Sequence, residues 1–311
     1  MKTNISLILI LCLLLGACKN GNASSQNKSE TPQDTIKAIK MPAIPQMMTA
    51  PEQRADFLAK HYWDNVNFAD TNYIHHPEVT EQAWADYCDL LNHVPLETAQ
   101  QAMRNVIDRT NVDKKVFTYI TDLADKYLYD PNSPMRNEEF YMPVLEAMIA
   151  SPVLNETEKI RPQARLKLAQ KNRIGTKALN FTYTLASGAQ GSLYQLKAEY
   201  LLLFINNPGC QACTETIEGL KNAPIINQLL QEKKLVLLSI YPDEELDEWK
   251  KHLSEFPNEW INGYDKKFTI KEEQVYDLKA IPTLYLLDKD KTVLLKDATA
   301  PAIEAYLMQH Q

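Results

Sequence analysis

The sequence is poor in cysteine and glycine and has no excess of basic residues. Five cysteines among 311 residues are too few for a disulfide-stapled scaffold, and eight glycines argue against an all-β protein rich in tight turns. Lysine and arginine total 33 against 40 acidic residues, so the net charge is −7. An acidic chain without a basic stripe is not expected to bind nucleic acid.

The longest almost wholly apolar segment lies near the N-terminus, at residues 5–15, broken only by Ser6 and Cys12, and it follows the positive charge of Lys2. It is too short to stay in a bilayer as a spanning helix but is typical of a signal-peptide core. The sequence Leu-Gly-Ala-Cys at residues 15–18 resembles the lipobox of bacterial lipoproteins. That resemblance implies cleavage after Ala17 and a lipid on Cys18. The alternative is an ordinary secreted protein in which Cys18 is incidental.

Residues 18–50 follow the predicted signal peptide (residues 1–17) and are rich in Asn, Ser, Lys, Gln and Pro without periodicity. Such a segment buries too little apolar surface to order itself, so we predict a disordered tether. Lys19, rather than aspartate, follows Cys18, which resembles the outer-membrane sorting pattern of lipoproteins. The expected location is therefore the periplasm, with the lipid on Cys18 in the outer membrane.

Residues 51–173 show helical periodicity and no strand-like alternation. Trp84, Tyr87 and Leu91, for example, share one helix face, and breaks such as Pro95 carry turn chemistry. The pattern predicts an all-helical domain of about six helices. After a first helix at Pro51, the expected helices lie at residues 80–91, 96–109, 114–129, 138–149 and 157–172.

Three features of the predicted helical domain admit two interpretations each. His75-His76 suggests metal ligands, but adjacent residues do not share a face, which favours a surface or capping role. Cys88 is either a buried small residue, which we favour, or a third redox partner. The proline-bracketed loop 129–136 is either a partner surface or a rigid turn, and the turn is the simpler interpretation.

Residues 174–311 change to strands that alternate with helices. Continuous apolar runs at residues 200–205 and 235–241 predict buried strands, and residues 281–288 and 292–296 predict a strand pair. The alternation predicts an α/β sandwich around a central sheet. The whole chain is therefore expected to be a two-domain protein, all-helical and then α/β.

The motif Cys210-Gln211-Ala212-Cys213 lies between a predicted buried strand and a helix. A helix N-terminus directs unpaired amides at Cys210 and stabilises its thiolate, which is the nucleophile in disulfide exchange. Cys213, one turn later, is placed to resolve the mixed disulfide and should be the more buried cysteine. No further cofactor is needed, because the Cys210–Cys213 disulfide is the redox group. A zinc site is disfavoured because the chain has no second CxxC.

The CxxC after a buried strand, with Ile281-Pro282-Thr283 entering a later strand, resembles the thioredoxin superfamily. Together with the export signal, it is similar to the TlpA/ResA-like branch of thiol–disulfide oxidoreductases over roughly residues 175–311. The resemblance implies that Pro282 is cis and faces the CxxC, and that Ile281 and Pro282 bind substrate backbone. The helical half resembles the N-terminal region of Bacteroidota-type lipoproteins with thioredoxin-like C-termini, which implies no activity.

The motif departs from the family at three positions. Gly209 stands where thioredoxins usually have tryptophan, Phe204 where they have a buried acid, and Thr216 where the TlpA-like branch often has an acid. Glu215 and Asp243 are candidate acid/base helpers, although an exposed, solvated carboxylate is the simpler interpretation of each.

The resemblance and the motif together predict a membrane-anchored oxidoreductase that exchanges disulfides with envelope proteins. Gln211-Ala212 matches neither reducing thioredoxins nor strong oxidants, so the redox direction and the electron donor stay open. The alternative is a thioredoxin-fold binding protein in which the helical domain recognises an envelope partner and redox activity is vestigial.

Overall fold

Residues 51–169 form a helical region, as the periodicity predicts. The computed structural model describes residues 38–310, so the predicted signal peptide, Cys18 and most of the predicted tether lie outside the described residues. The helices of this region, in chain order, are α1 (Pro51–His61), α2 (Pro77–Leu91), α3 (Leu96–Arg109), α4 (Lys114–Ala124), α5 (Glu138–Ala150) and α6 (Glu156–Ala169).

The helices of this region pack around an aromatic core. Trp84 and Tyr87 of α2 are fully buried, and the edge of Trp63 meets the ring of Tyr87 at a centroid distance of 5.6 Å. Side-chain caps fix where two helices begin. Asn137 accepts from an amide in the first turn of α5, and Asn155 forms a capping box at α6.

One predicted helix is wrong in its second half. The segment predicted over residues 114–129 leaves the α-helical geometry after Ala124 and continues as a wider π turn, Asp125–Tyr129. At this turn the Asp125 carboxylate accepts from Arg165, with N–O distances of 2.7 Å, and also from the Tyr141 hydroxyl. Sequence periodicity cannot distinguish the two geometries because both keep apolar residues on one side.

The second half contains a seven-stranded mixed sheet in the order β2-β1-β5-β4-β3-β6-β7. The pairs β3–β4 and β4–β5 are parallel, and the other four pairs are antiparallel. The strands are β1 (Thr182–Leu185), β2 (Gln190–Ser192), β3 (Tyr200–Ile205), β4 (Leu235–Tyr241), β5 (Ile261–Tyr264), β6 (Thr283–Asp288) and β7 (Val293–Lys296).

The central strand β3 is buried on both faces. Leu202 and Phe204 contribute to the apolar core on one face, and Leu201 and Leu203 contribute to the core on the other. This explains the unbroken apolar run in the sequence. The helices of this half are α7 (Gln211–Lys221), α8 (Pro224–Gln231), α9 (Leu246–His252), α10 (Thr269–Glu272) and α11 (Ala300–Gln309).

Short strands and strand ends account for the differences from the predicted sheet. The three-residue strand β2 was not predicted, and β5 was missed because Ile-Asn-Gly-Tyr has no apolar run. The strand predicted to start at Ile281 starts at Thr283 instead. Proline has no amide to donate to a ladder, so pairing begins only after Pro282.

The helical region and the sheet region share ion pairs. Residues 38–310 belong to one compact unit. Glu138, the first residue of α5, pairs with Lys296 of β7 and with Lys279, whose Nζ lies 3.4 Å from the Glu138 carboxylate. No helix among residues 38–310 is long and apolar enough to cross a membrane.

Candidate active site

Cys210 lies at the point where the loop after β3 becomes α7. It is the N-cap residue of α7, and the backbone N–H of Cys213 donates to its sulfur at 3.3 Å. The first turn of the helix therefore directs an amide at Cys210, as the sequence predicts. This arrangement favours negative charge on the sulfur.

Gly209 has a backbone conformation that explains its identity. Its φ is +70°, in the left-handed region that favours glycine, while a Cβ there would meet nothing within 4 Å. The requirement at this position is therefore conformational and not steric. A tryptophan, as in the resembling family, would be strained in this loop geometry.

Cys213 is the more buried of the two cysteines, as predicted. Its exposed fraction is 2%, whereas Cys210 is half-buried, and both are free thiols in this structure. Burial raises the pKa of Cys213, and the hydrogen bond with Cys210 adds to the rise, while the backbone N–H of Asn207 opposes it. Cys213 therefore suits a resolving thiol that stays protonated until Cys210 is engaged.

We expect the two thiols to differ strongly in their reaction with iodoacetamide. In the reduced native protein near pH 8, Cys210 should be alkylated first, because Cys213 is buried and its raised pKa keeps it protonated. Peptide mapping by mass spectrometry over time measures both sites. Unfolding the protein in guanidinium should remove the difference. Equal labelling in the native state would contradict this geometry.

The Ile281–Pro282 segment faces Cys210. The Ile281–Pro282 peptide bond is cis, as the resemblance implied, and the Cys210 thiol donates to the Ile281 carbonyl with an S–O distance of 3.8 Å. The structure thus brings together residues 71 positions apart in the sequence. That Ile281 and Pro282 bind substrate backbone stays a prediction.

Candidate acid/base helpers do not contact the cysteines among the described residues. Phe204, at the position of the family's buried acid, packs edge-on against Trp260 at 6.4 Å. Glu215 is exposed and accepts from Gln211, and Asp243 accepts from Asn207 at 3.1 Å while pairing with a lysine. Glu215 is therefore an exposed, solvated carboxylate, whereas Asp243 is only 29% exposed and is held by two partners.

The remaining candidate residues, His76 and Cys88, lie in the helical region. His76 immediately precedes α2, and its ring lies 3.1 Å from the carboxylate of Glu78 in the first turn. Cys88 is buried in the helical core, as predicted, and burial raises its pKa to about 12. Its thiol is therefore poorly suited to exchange.

Sequence reasoning missed the charged residues that support the Ile281–Pro282 segment. The Thr283 hydroxyl donates to the Asp297 carboxylate at 2.7 Å, and Lys279 pairs with Asp297 at 3.3 Å. Burial opposes ionisation of Asp297, but Lys279, Arg136 and Thr283 together lower its pKa. The sequence offered little signal, because positions 277, 279 and 297 lie near other charged residues such as Glu273 and Lys296.

Two families match the chain. Residues 17–172 match a family described as a domain of unknown function, DUF5106. Residues 198–293 match a family described as thioredoxin-like. The second match covers both cysteines and Pro282. No curated protein matches the chain.

One solved structure supports the same assignment, and two others resemble the C-terminal half alone. A thioredoxin-like protein from Bacteroides caccae is 83% identical, with a TM-score of 0.87, over 89% of this chain and 100% of that chain. The C-terminal domain of an uncharacterized protein from Bacteroides fragilis is 69% identical over 44% of this chain and 98% of its own, with a TM-score of 0.44. A domain of a possible thiol-disulfide isomerase from Cytophaga hutchinsonii is 24% identical over 45% of this chain and 95% of its own, with a TM-score of 0.39. The chain therefore belongs to the thioredoxin-like proteins and carries a DUF5106 region in its N-terminal half.

Proposed function

We propose that this protein is a membrane-anchored thiol–disulfide oxidoreductase that exchanges disulfides with proteins of the bacterial cell envelope. One observation carries the proposal. The sulfur of Cys210 accepts a hydrogen bond from a backbone N–H at the N-terminus of a helix and lies beside the Ile281 carbonyl. Cys213 is buried one helical turn away. An accessible, stabilised thiolate beside a protected second thiol is the arrangement that exchange requires.

In the reducing direction, the Cys210 thiolate attacks one sulfur of a target disulfide. A bond forms between that sulfur and Cys210, the target disulfide breaks, and its second sulfur leaves as a thiolate that takes up a proton. Cys213 then loses its proton and attacks Cys210, which forms the Cys210–Cys213 disulfide and releases the first target sulfur as a thiol. Two electrons pass from the cysteine pair to the target, and the oxidising direction is the exact reverse.

Trapping tests the proposed exchange with envelope proteins. A Cys213→Ala variant keeps the attacking thiol but cannot resolve the intermediate, so mixed disulfides through Cys210 should accumulate in the envelope fraction. The matched control is the Cys210→Ser/Cys213→Ala double variant, which should give none. Adducts are counted on non-reducing gels and must disappear with dithiothreitol. An absence of adducts that depend on Cys210 would favour the binding-protein alternative.

The proposed anchor is a lipid on Cys18, which places the redox site outside the cytoplasm. Its support is the apolar segment at residues 5–15 and the lipobox-like sequence that ends at Cys18. We expect Cys18→Ala to abolish labelling with radioactive palmitate and to move the protein out of the membrane fraction. Palmitate labelling that persists in the variant would contradict lipidation at Cys18.

A further inference from the structure

A groove of about 670 Å³ begins beside the cysteine motif and extends toward the helical region. One side is formed by the outer face of α7 and by the Ile281–Pro282 segment. Part of the other side comes from the helical region, through Pro131, Asn132 and Arg136. Proteins hold ligands in concave sites of about 300–1,000 Å³, so the volume is sufficient for a bound segment.

The helical segment is fixed to the same residues that support the Ile281–Pro282 segment. A guanidinium nitrogen of Arg136 donates to the backbone carbonyl of Asp297 at 2.6 Å. The Asp297 carboxylate in turn accepts from Thr283, which directly follows Pro282. Both walls of the groove therefore share Asp297 as a common support, and their spacing is set by direct contacts.

The segment 131–136 is also well ordered by its own hydrogen bonds. The Ser133 hydroxyl donates to the Tyr127 carbonyl at 2.6 Å, and the backbone N–H of Asn132 donates to the Asp130 carboxylate at 2.8 Å. Prolines at 131 and 134 restrict the backbone further. The exposed Pro131 and Asn132 thus present a preformed surface, which lowers the entropic cost of binding.

We propose that the helical region supplies one wall of the substrate site, and that Pro131 and Asn132 contact the polypeptide segment next to the reacting sulfur. This inference rests on the proposed oxidoreductase function. The groove is lined by Ala212 of the motif and by Ile281, which Cys210 contacts, so a polypeptide whose sulfur reaches Cys210 can continue along the groove. A polypeptide occupies the groove out to Asn132, whereas a small disulfide such as glutathione leaves that part empty. The proline-bracketed loop is then both a rigid turn and a specificity-determining surface.

The test compares how fast Cys210 reacts with the same activated disulfide in two molecules, a peptide and a single amino acid. The first probe is a nine-residue peptide of alanine, serine and threonine with a central cysteine activated as its 2-thiopyridyl disulfide. The second is N-acetylcysteine with the same activation. Release of 2-thiopyridone gives second-order rate constants for Cys210 in the full mature chain carrying Cys213→Ala. The ratio of the two constants, peptide over N-acetylcysteine, reports what the groove contributes, whichever redox direction the protein serves.

We expect the parent protein to prefer the peptide at least tenfold, and Asn132→Trp, which fills the groove, to abolish that preference without changing the N-acetylcysteine rate. Asn92→Trp places the same side chain on the exposed end of α2 and should keep the preference. Asn132→Arg is a second filling variant, in case tryptophan disturbs folding. An unchanged rate with N-acetylcysteine shows that the cysteine site itself is intact in each variant.

Two results would overturn the inference while leaving the oxidoreductase proposal standing. One is a parent ratio near one, which would mean that the groove contributes nothing to a polypeptide. The other is a preference that survives in both Asn132 variants. If Cys210 reacts with neither probe at a rate above that of the Cys210→Ser protein, the oxidoreductase proposal fails, and the inference fails with it.

Discussion

Cys210→Ser is expected to lower the rate of insulin disulfide reduction, with dithiothreitol as electron donor, on the order of a hundredfold or more, to that of the protein-free control. The serine hydroxyl is not ionised at neutral pH and cannot form a mixed disulfide. The backbone N–H of the helix that faces residue 210 would then have no thiolate to stabilise. The change is small in volume and the site is half-buried, so the fold should persist.

Cys88→Ala is the matched control for Cys210→Ser. It removes the third free thiol of the described chain, which lies in the helical core with 1% of its surface exposed. Its activity should equal that of the wild type, because Cys88 is far more buried than Cys210 and its pKa is raised. Retention of full insulin reduction by Cys210→Ser would show that the assay reports something other than this motif.

Glu138→Gln is expected to lower the free energy of unfolding by about 3 kcal/mol or more. Its carboxylate pairs with Lys279 and Lys296, whose side chains are only 11% and 7% exposed. Glutamine keeps the shape but removes the charge, which leaves two nearly buried cations with less compensation. Denaturant unfolding followed by tryptophan fluorescence measures the loss.

Glu156→Gln is the matched control, because Glu156 is likewise the first residue of its helix, α6. Its side chain is 86% exposed and pairs with Lys159 on the surface, so the loss should stay below about 1 kcal/mol. A loss for Glu138→Gln no larger than that of Glu156→Gln would contradict the role of the buried pairs at the junction.

The pH dependence of this junction follows from two opposite pKa shifts. Burial opposes charge on Lys279, but Asp297, Glu138 and Asp277 raise its pKa overall, so its contribution is lost only as pH rises above 10.5 and through the folded-state value. The pKa of Asp297 is lowered, so its contribution is present above 3.8 and is lost as pH falls through the folded-state value. The contribution of Lys279 and Asp297 to the free energy of unfolding should therefore be constant from about pH 5 to pH 9, which denaturant unfolding at several pH values measures.

The cysteine site was largely predictable from the sequence because its determinants are local. Cys210 and Cys213 share one helical turn, and a strand-to-helix junction is readable from apolar runs. Pro282 was assigned by resemblance, and the structure places Ile281 against Cys210. The missing helpers were also readable, because Phe204 stands where the resembling family has an acid.

The groove and its supports were not predictable in the same way because they depend on distant residues. Arg136 and Asp297 are 161 positions apart, and Glu138 and Lys279 are 141 apart. Hydrophobic periodicity predicts that charged residues lie on the surface, whereas these four residues lie close together where the helical and sheet regions meet. The loop that contains Arg136 was visible as a proline-bracketed segment, but only its contact with Asp297 relates it to the redox motif.

Phe204 and Cys213 have a joint consequence for the chemistry. With an aromatic ring in place of the family's buried acid, no carboxylate among the described residues hydrogen-bonds to either cysteine. Burial is the largest cause of the raised pKa of Cys213, and the hydrogen bond with Cys210 adds to the rise. A mixed disulfide at Cys210 would remove only the second of these two contributions.

The most direct test of the redox assignment is equilibration of the purified protein with defined mixtures of reduced and oxidised glutathione, followed by acid quenching and intact mass spectrometry. We predict a single two-electron transition in which the chain loses two hydrogen atoms and gains a Cys210–Cys213 disulfide, with Cys88 remaining a thiol. The midpoint gives the reduction potential and hence the redox direction in the envelope. A chain that forms no Cys210–Cys213 disulfide even in fully oxidised glutathione would contradict the account.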